Sequence, residues 1–259
     1  MKSSLAVSLI QTDLAWQQPE ENRRMLAALM AEQIDDSDLI ILPEMFPGGF
    51  SMDVQKVAES PEGGTLQWMA EQAALTGAVI TGSYAVEVQD KVVNRLVWMR
   101  PDGSYEHYDK RHLFRMAGEH KRYAAGNQKL VVELQGWRIC PMICYDLRFP
   151  VWCRNKNDYD LIFFVANWPE SRSYPWISLL KARAIENLSY VIGVNRVGVD
   201  GNDLSYSGDS MFLDYRGLPI IEAGSKKGVF TSQLNAQELL DFRRKFPADL
   251  DADDFSLDH

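Results

Sequence analysis

A chain of 259 residues, 46% hydrophobic and 24% charged, has the composition of an ordinary soluble globular protein and is long enough to bury a sizeable core. A formal net charge of −9 argues against sequence-independent nucleic-acid binding, which needs a cationic face. The first apolar run, 5–10, stops at Gln11-Thr12-Asp13, too soon for a signal peptide or a membrane span, and three cysteines without CxxC spacing fit reduced thiols in a cytoplasm, with no metal site and no cofactor expected.

In chain order, 5–11 reads as a strand and 19–34 as a helix with Met25, Leu26, Leu29 and Met30 on one face. Residues 38–43 form a buried strand ending at Glu44. A second helix fits Gly64–Thr76, and 79–84 returns as a strand. Strands 92–99 and 104–108 flank Arg100-Pro101-Asp102-Gly103, a turn signal that predicts a hairpin, and 130–134 and 137–143 flank Gln135-Gly136 in the same way. Then come a strand at 160–166, a helix at 175–187, a strand at 190–195, a hairpin around 214–217, and a helix at 235–246 before an acidic tail, 247–259. No linker or low-complexity stretch divides the chain, so one α/β domain over 1–259 is expected, with layered sheets covered by helices. Asp38-Leu39-Ile40-Ile41-Leu42 and Asp160-Leu161-Ile162-Phe163-Phe164 are both Asp-led apolar strands. Any two buried strands look alike, so the echo carries no weight by itself.

Four residues could carry chemistry, though each has a bland reading when taken alone. Cys144 stands where the apolar strand through Ile143 meets polar Tyr145-Asp146. A lone cysteine is usually a small buried hydrophobe, and Cys140 and Cys153 are read that way. Glu44 follows Ile40-Ile41-Leu42-Pro43 and precedes Met45-Phe46-Pro47-Gly48-Gly49-Phe50, which resembles a pocket wall more than a solvated turn. A carboxylate there would have a raised pKa and could act as a general base. Lys110 and Glu119 lie in charged runs that alone read as solvated faces. Together they make a set: a thiol needs a base, an attacked amide carbonyl needs a cation for its oxyanion, and hydrolysis needs a carboxylate near water. No histidine is required.

Leu42-Pro43-Glu44-Met45-Phe46, Tyr108-Asp109-Lys110-Arg111-His112-Leu113-Phe114 and Ile143-Cys144-Tyr145-Asp146-Leu147-Arg148-Phe149-Pro150 resemble the three catalytic motifs of the nitrilase superfamily, in order. The resemblance continues through Ala182-Arg183-Ala184-Ile185-Glu186-Asn187, Val194-Asn195-Arg196-Val197-Gly198 and Ser207-Gly208-Asp209-Ser210, and so covers nearly the whole chain. Cys144-Tyr145-Asp146-Leu147-Arg148-Phe149-Pro150, together with Asn167-Trp168-Pro169 and Ser171-Arg172-Ser173, is most similar to the bacterial omega-amidase branch. The resemblance implies a four-layer αββα sandwich that pairs as a homodimer. It assigns Cys144 as nucleophile, Glu44 as general base, Lys110 and the Tyr145 N–H as oxyanion donors, and Glu119 as a second glutamate orienting substrate or water. Asp146 and Arg148 match the motif and are read as structural supports. One departure is Cys140-Pro141, where many relatives have glycine; a proline removes a ladder donor, so a bulge or a partly unpaired strand is expected there.

The family branch implies a small 2-oxo dicarboxylate monoamide, such as 2-oxoglutaramate or 2-oxosuccinamate, as substrate. Its carboxylate calls for a cation, with Arg115 and Arg172 as candidates, and Phe46, Phe114 and Trp168 are candidate apolar walls. A nitrile hydrolase would use the same four catalytic residues. A Cys-His-Glu glutaminase is disfavoured by the four histidines, which lie in no recognisable elbow, and a non-catalytic dimeric module by the filled catalytic positions.

Overall fold

Strands covered on both faces have no polar face to spare, and the central strands here are accordingly runs of aliphatic and aromatic residues. In a computed structural model, which describes residues 1–257, they form two six-stranded sheets. The first half of the chain runs β1 (Ser4–Gln11), α1 (Pro19–Gln33), β2 (Leu39–Ile41), α2 (Val54–Val57), α3 (Gly64–Thr76), β3 (Val79–Val88), β4 (Lys91–Met99) and β5 (Tyr105–Asp109). There follow β6 (Val132–Leu134), β7 (Trp137–Ile143), α4 (Pro150–Cys153), β8 (Leu161–Val165), α5 (Ser173–Asn187) and β9 (Tyr190–Val194). The chain then adds β10 (Val197–Val199), β11 (Ser205–Ser207), β12 (Met211–Leu213), β13 (Pro219–Glu222), β14 (Gly228–Asn235) and α6 (Ala236–Lys245). Strand order is β14-β1-β2-β3-β4-β5 in one sheet and β13-β12-β9-β8-β7-β6 in the other.

The sheets pack face to face. Leu5, Val7, Leu9 and Trp98 of the first share one buried cluster with Ile139, Phe163 and Ile192 of the second, and the Trp98 and Phe163 rings stack at 6.5 Å. On the outer face of the first sheet, Ile40, Ile80 and Val97 lie beneath Leu26 and Met30 of α1 and Met69 and Ala73 of α3. Each such Leu, Ile, Val or Met side chain contributes about 1.5–3 kcal/mol on burial. Helix α5 covers the second sheet through Trp176, Leu180 and Ala184. Gly193 of β9 permits that close approach, since a Cβ there would stand 2.4 Å from Leu180. The layers are therefore αββα, as the motifs implied.

Two details differ from expectation, and a third meets it in part. Strand β3 continues to Val88 and turns at Gln89-Asp90 into β4, forming a hairpin in register from Ile80↔Met99 to Val88↔Lys91. Strand β14 was not anticipated, yet it pairs with β1 along its whole length, Ser4↔Asn235 to Gln11↔Gly228. Pro141 causes no bulge: β7 keeps unbroken parallel register with β8 from Ile139↔Leu161 to Ile143↔Val165. The Arg138 carbonyl accepts from Asp160 N–H, so even-numbered residues of β7 face β8 and Pro141 points the other way. Pairing with β6 on that side ends at Ile139, so β7 is unpaired there, as the proline implied, and the missing donor breaks no ladder bond. The acidic tail makes a 3₁₀ turn at Ala248–Asp251, and Phe255 then lies against Lys156 of the same chain. The last two tail residues, 258–259, are outside the described residues.

The Asp-led echo has a structural counterpart. Strands β1-β2-β3 and β7-β8-β9 are parallel triplets, with β2 and β8 central. Asp38 N–H donates to the Ala6 carbonyl while its carboxylate accepts from Ala6 N–H, and Asp160 makes the same pair of bonds with Arg138.

Candidate active site

At the end of β7 the backbone turns sharply. Cys144 adopts φ = 45°, a left-handed conformation costing a residue other than glycine roughly 1–2 kcal/mol, and opens a 3₁₀ turn over Cys144–Arg148. Three contacts hold the turn. The Asp146 carboxylate accepts from Ile143 N–H at 3.1 Å, the Asp146 carbonyl accepts from Phe149 N–H at 3.0 Å, and Arg183 of α5 donates to the Leu147 carbonyl at 2.6 Å. Cys144 is thereby 9% exposed and lines a cavity of about 260 Å³. The N–H of Tyr145, on the first turn of this short helix, has no intrahelical acceptor.

Glu44, Lys110 and Glu119 meet beside it, all fully buried. Lys110 Nζ donates to Glu44 Oε1 at 2.9 Å and to Glu119 at 3.0 and 3.1 Å, and it lies 5.0 Å from the Phe50 ring centre. Glu44 Oε1 also accepts from Asn94 Nδ2 at 2.9 Å, and Oε2 from Asn167 N–H at 2.8 Å. Asn167 returns a bond from its Nδ2 to the Glu44 carbonyl, clasping the ends of β2 and β8 together. Asn94, on β4, also accepts Lys110 N–H at its own carbonyl, at 2.9 Å, and so fixes both members of the ion pair. Nothing in the sequence around Asn94 marks it; its part depends on a contact fifty positions away.

Removing three ionisable groups from water is costly unless they neutralise one another. Burial works against the Lys110 ammonium, but the carboxylates of Glu119 and Glu44 outweigh it and hold its pKa well above the ordinary lysine value. Burial raises the Glu119 pKa, against the pull of Lys110 and with the repulsion of Glu44. The Cys144 thiol is also raised well above its usual value, first by burial, then by the Glu44 carboxylate, with Lys110 opposing. Burial and the Glu44 charge thus both favour the neutral thiol over the thiolate. Cys140, pushed up to about 12 by burial, and the buried Cys153 are inert by the same physics.

The cavity wall sorts the sequence candidates. Phe114, Trp168 and Arg172 line it alongside Cys144 and Lys110. Phe46 does not: it is fully buried under the first sheet, its ring 5.6 Å from that of Trp68, because the turn after Glu44 sends it outward to the helix layer. Phe50, four residues on, faces the cavity instead. Arg115 is also excluded, since it is exposed on a 3₁₀ turn over Arg115–Ala117 while its neighbour Phe114 points inward. Arg148, read from sequence as a structural support, lines the cavity with its guanidinium 5.1 Å from the Trp168 ring. Arg172 lies similarly over Phe114 at 5.2 Å. Glu44 and Glu119 both lie behind the cavity wall, bonded to Lys110, and Glu119 also accepts the Phe114 N–H. The β10–β11 hairpin contributes Leu204 and Tyr206 to the cavity wall. Among the described residues, no group of His, Cys, Asp and Glu side chains is arranged to hold a metal ion, and no helix is long and apolar enough to cross a membrane.

Comparison with known proteins agrees with this geometry. The carbon-nitrogen hydrolase family model matches residues 6–244. Omega-amidase YafV of Escherichia coli (strain K12) is 46% identical over 254 residues, covering 98% of each chain. A 2-oxoglutaramate amidase of Bacillus subtilis (strain 168) is 30% identical, over 93% of this chain and 95% of its own. A CN-hydrolase superfamily protein of Xanthomonas campestris, whose crystal structure has an arsenic adduct in the active site, superposes with a TM-score of 0.96 at 50% identity, over 98% of this chain and 99% of its own. The chain belongs to the carbon-nitrogen hydrolase family, within the nitrilase superfamily.

Proposed function

We propose that the protein is an omega-amidase, hydrolysing the terminal amide of small 2-oxo dicarboxylate monoamides to the acid and ammonia. The observation that carries this reading is the cavity itself. Cys144 and Lys110 line it together with Arg148 and Arg172, two guanidinium groups that face aromatic rings rather than carboxylates. A substrate that presents an amide to Cys144 and a carboxylate to a guanidinium fits that lining. The relatives named for omega-amides support the same choice.

Glu44 is well placed to be the base. A carboxylate offers about four lone-pair sites, and Asn94, Lys110 and Asn167 N–H take three, leaving one for the thiol proton. Cys144 attacks the amide carbon as its proton passes to Glu44, and Lys110 with the Tyr145 N–H bears the oxyanion. Glu44 gives the proton to the departing ammonia, leaving a thioester. Water, deprotonated by Glu44, then releases the acid and restores the thiol. Glu119 supports the cycle by holding the Lys110 ammonium. Each oxyanion donor contributes about 3–4 kcal/mol to lowering the barrier.

The test is mass spectrometry of enzyme quenched during turnover of 2-oxoglutaramate. An acyl adduct on Cys144 is expected, and both adduct and ammonia release are lost in Cys144→Ala. Full ammonia release by Cys144→Ala would refute the mechanism, and preference for a nitrile over the amide would refute the substrate class. A second copy of this chain is the partner in this reading. Tyr174 and Ile185 of α5 are exposed apolar side chains, as is Leu218 in the turn next to Ile185, and sedimentation at equilibrium reads the dimer. Three buried free thiols fit a reducing cytoplasm.

A further inference from the structure

We infer that Asp146 is a positioning residue that sets where the Cys144 sulfur stands relative to the Lys110 ammonium, through hydrogen bonds to the segments on both sides. Its carboxylate is fully buried and accepts four bonds from two separate stretches of chain. Oδ2 takes Ile143 N–H at 3.1 Å, immediately before the nucleophile, and Tyr108 Oη at 2.7 Å, two residues before Lys110. Oδ1 takes His112 N–H at 3.0 Å and faces His112 Nδ1 at 2.7 Å, two residues after Lys110. One carboxylate thus ties the left-handed elbow at Cys144 to both flanks of the lysine.

The surroundings make this tie stiff. Trp152 Nε1 donates to Tyr108 Oη at 3.1 Å, and the His112 ring stacks on Phe149 at 3.7 Å with the planes 6° apart. Arg111 N–H also donates to Tyr108 Oη, at 3.3 Å. Burial and the Asp146 charge keep Tyr108 protonated, so its hydroxyl stays a donor to the carboxylate. The motif placed Asp146 near the nucleophile, but its bonds to the Lys110 segment appear only in the fold. Reactivity needs both groups set at once: attack and charge build-up on the oxygen occur in the same step, and a displacement of about 1 Å costs on the order of 100-fold in rate. Asp146 touches neither substrate nor reacting atom, so its effect passes through the two residues it spaces.

Asp146→Asn keeps the shape but turns an NH₂ toward one pair of donors, so that side of the tie is lost. The inference rests on Cys144 and Lys110 acting as nucleophile and oxyanion cation. The experiment compares folded wild-type, Asp146→Asn and Tyr108→Phe proteins in 2-oxoglutaramate turnover and in the rate of Cys144 alkylation by iodoacetamide. For Asp146→Asn we expect kcat to fall about 100-fold with KM within about two-fold, and alkylation to slow by about ten-fold or more. Tyr108→Phe, which removes one of the four bonds, lowers kcat by about ten-fold, and adding it to Asp146→Asn costs little more. Wild-type kcat and alkylation in folded Asp146→Asn would overturn the inference, as would a rise in KM with kcat unchanged. Should Asp146→Asn not fold, Tyr108→Phe decides by the same two readings. If the wild-type protein leaves 2-oxoglutaramate intact, the substrate reading fails, while alkylation still judges Asp146.

Discussion

Strands β2 and β8 occupy matching places in their sheets, and a comparison of their two ends separates scaffold from chemistry. At the N-terminal ends the solution is repeated: Asp38 and Asp160 each bond the backbone N–H of the neighbouring strand and recruit cations, Lys2 in one case, Arg138 and Arg243 in the other. At the C-terminal ends the two diverge. After β2 comes Glu44, a buried carboxylate bound to Lys110, and after β8 comes Asn167, whose amide groups clasp Glu44. The duplicated ends hold the sheets together, and the unlike ends, where the two sheets converge, form the site. Open α/β sheets place ligands at the carboxyl ends of their strands for the same geometric reason.

The sharpest way to break this comparison is at the unlike end. Glu44→Gln is expected to lower kcat by about 1,000-fold or more, about 4 kcal/mol of barrier, since the amide cannot take the thiol proton. The folded protein should persist, because glutamine still fills the space; steady-state ammonia release beside a thermal melt reads both. At the repeated end the pattern should invert. Asp160→Asn removes the partner of Arg138 and Arg243 at a side chain only 4% exposed, and a loss of about 3 kcal/mol in urea unfolding is expected with kcat per folded enzyme unchanged. A kcat loss in Asp160→Asn as large as in Glu44→Gln would end the distinction.

Asp38→Asn is the smallest of the three. Its partner Lys2 is half exposed, so the ion pair is screened and a loss of about 1 kcal/mol is expected from the same urea curves. Both aspartates carry a pH signature. Burial raises each carboxyl pKa, but hydrogen bonds and charge from Arg138 at Asp160, and from Lys2, Ala6 and Gln135 at Asp38, outweigh it and hold both below the ordinary value. A depressed folded pKa contributes stability that is complete above the unfolded value near ~3.9 and is lost as pH falls through the folded value. Wild-type stability should therefore drop below about pH 4, and the drop should shrink in Asp160→Asn more than in Asp38→Asn.

Much of the site was legible because its residues sit at punctuation marks in the sequence. Cys144 and Glu44 each end an apolar run, and Lys110 lies just past a hairpin strand; strand ends are where polar side chains emerge from a buried sheet. The helix at Gly64–Thr76 and the hairpin around Gln135-Gly136 were legible through periodicity and turn chemistry. Strand β14 is not legible in the sequence because it is an edge strand with Thr231, Ser232 and Gln233 at its centre, and so lacks an apolar run. Phe46 and Arg115 were misplaced for a related reason. A turn decides which neighbour faces the cavity, and one residue's rotation exchanges Phe114 for Arg115.

By itself, the sequence determined most strand and helix types and the family whose motifs these are, and it singled out Cys144, Glu44 and Lys110 as the candidate nucleophile, base and oxyanion cation, since all of these lie in local runs of residue chemistry. Only the tertiary structure decided that Asn94 steadies Glu44, that Arg148 faces the cavity rather than a support contact, and that Asp146 bridges the two catalytic segments. Each of those roles depends on a hydrogen bond or ring contact between residues far apart in the chain, and the direction of a side chain across such a gap follows from how the two sheets pack, not from its neighbours in sequence.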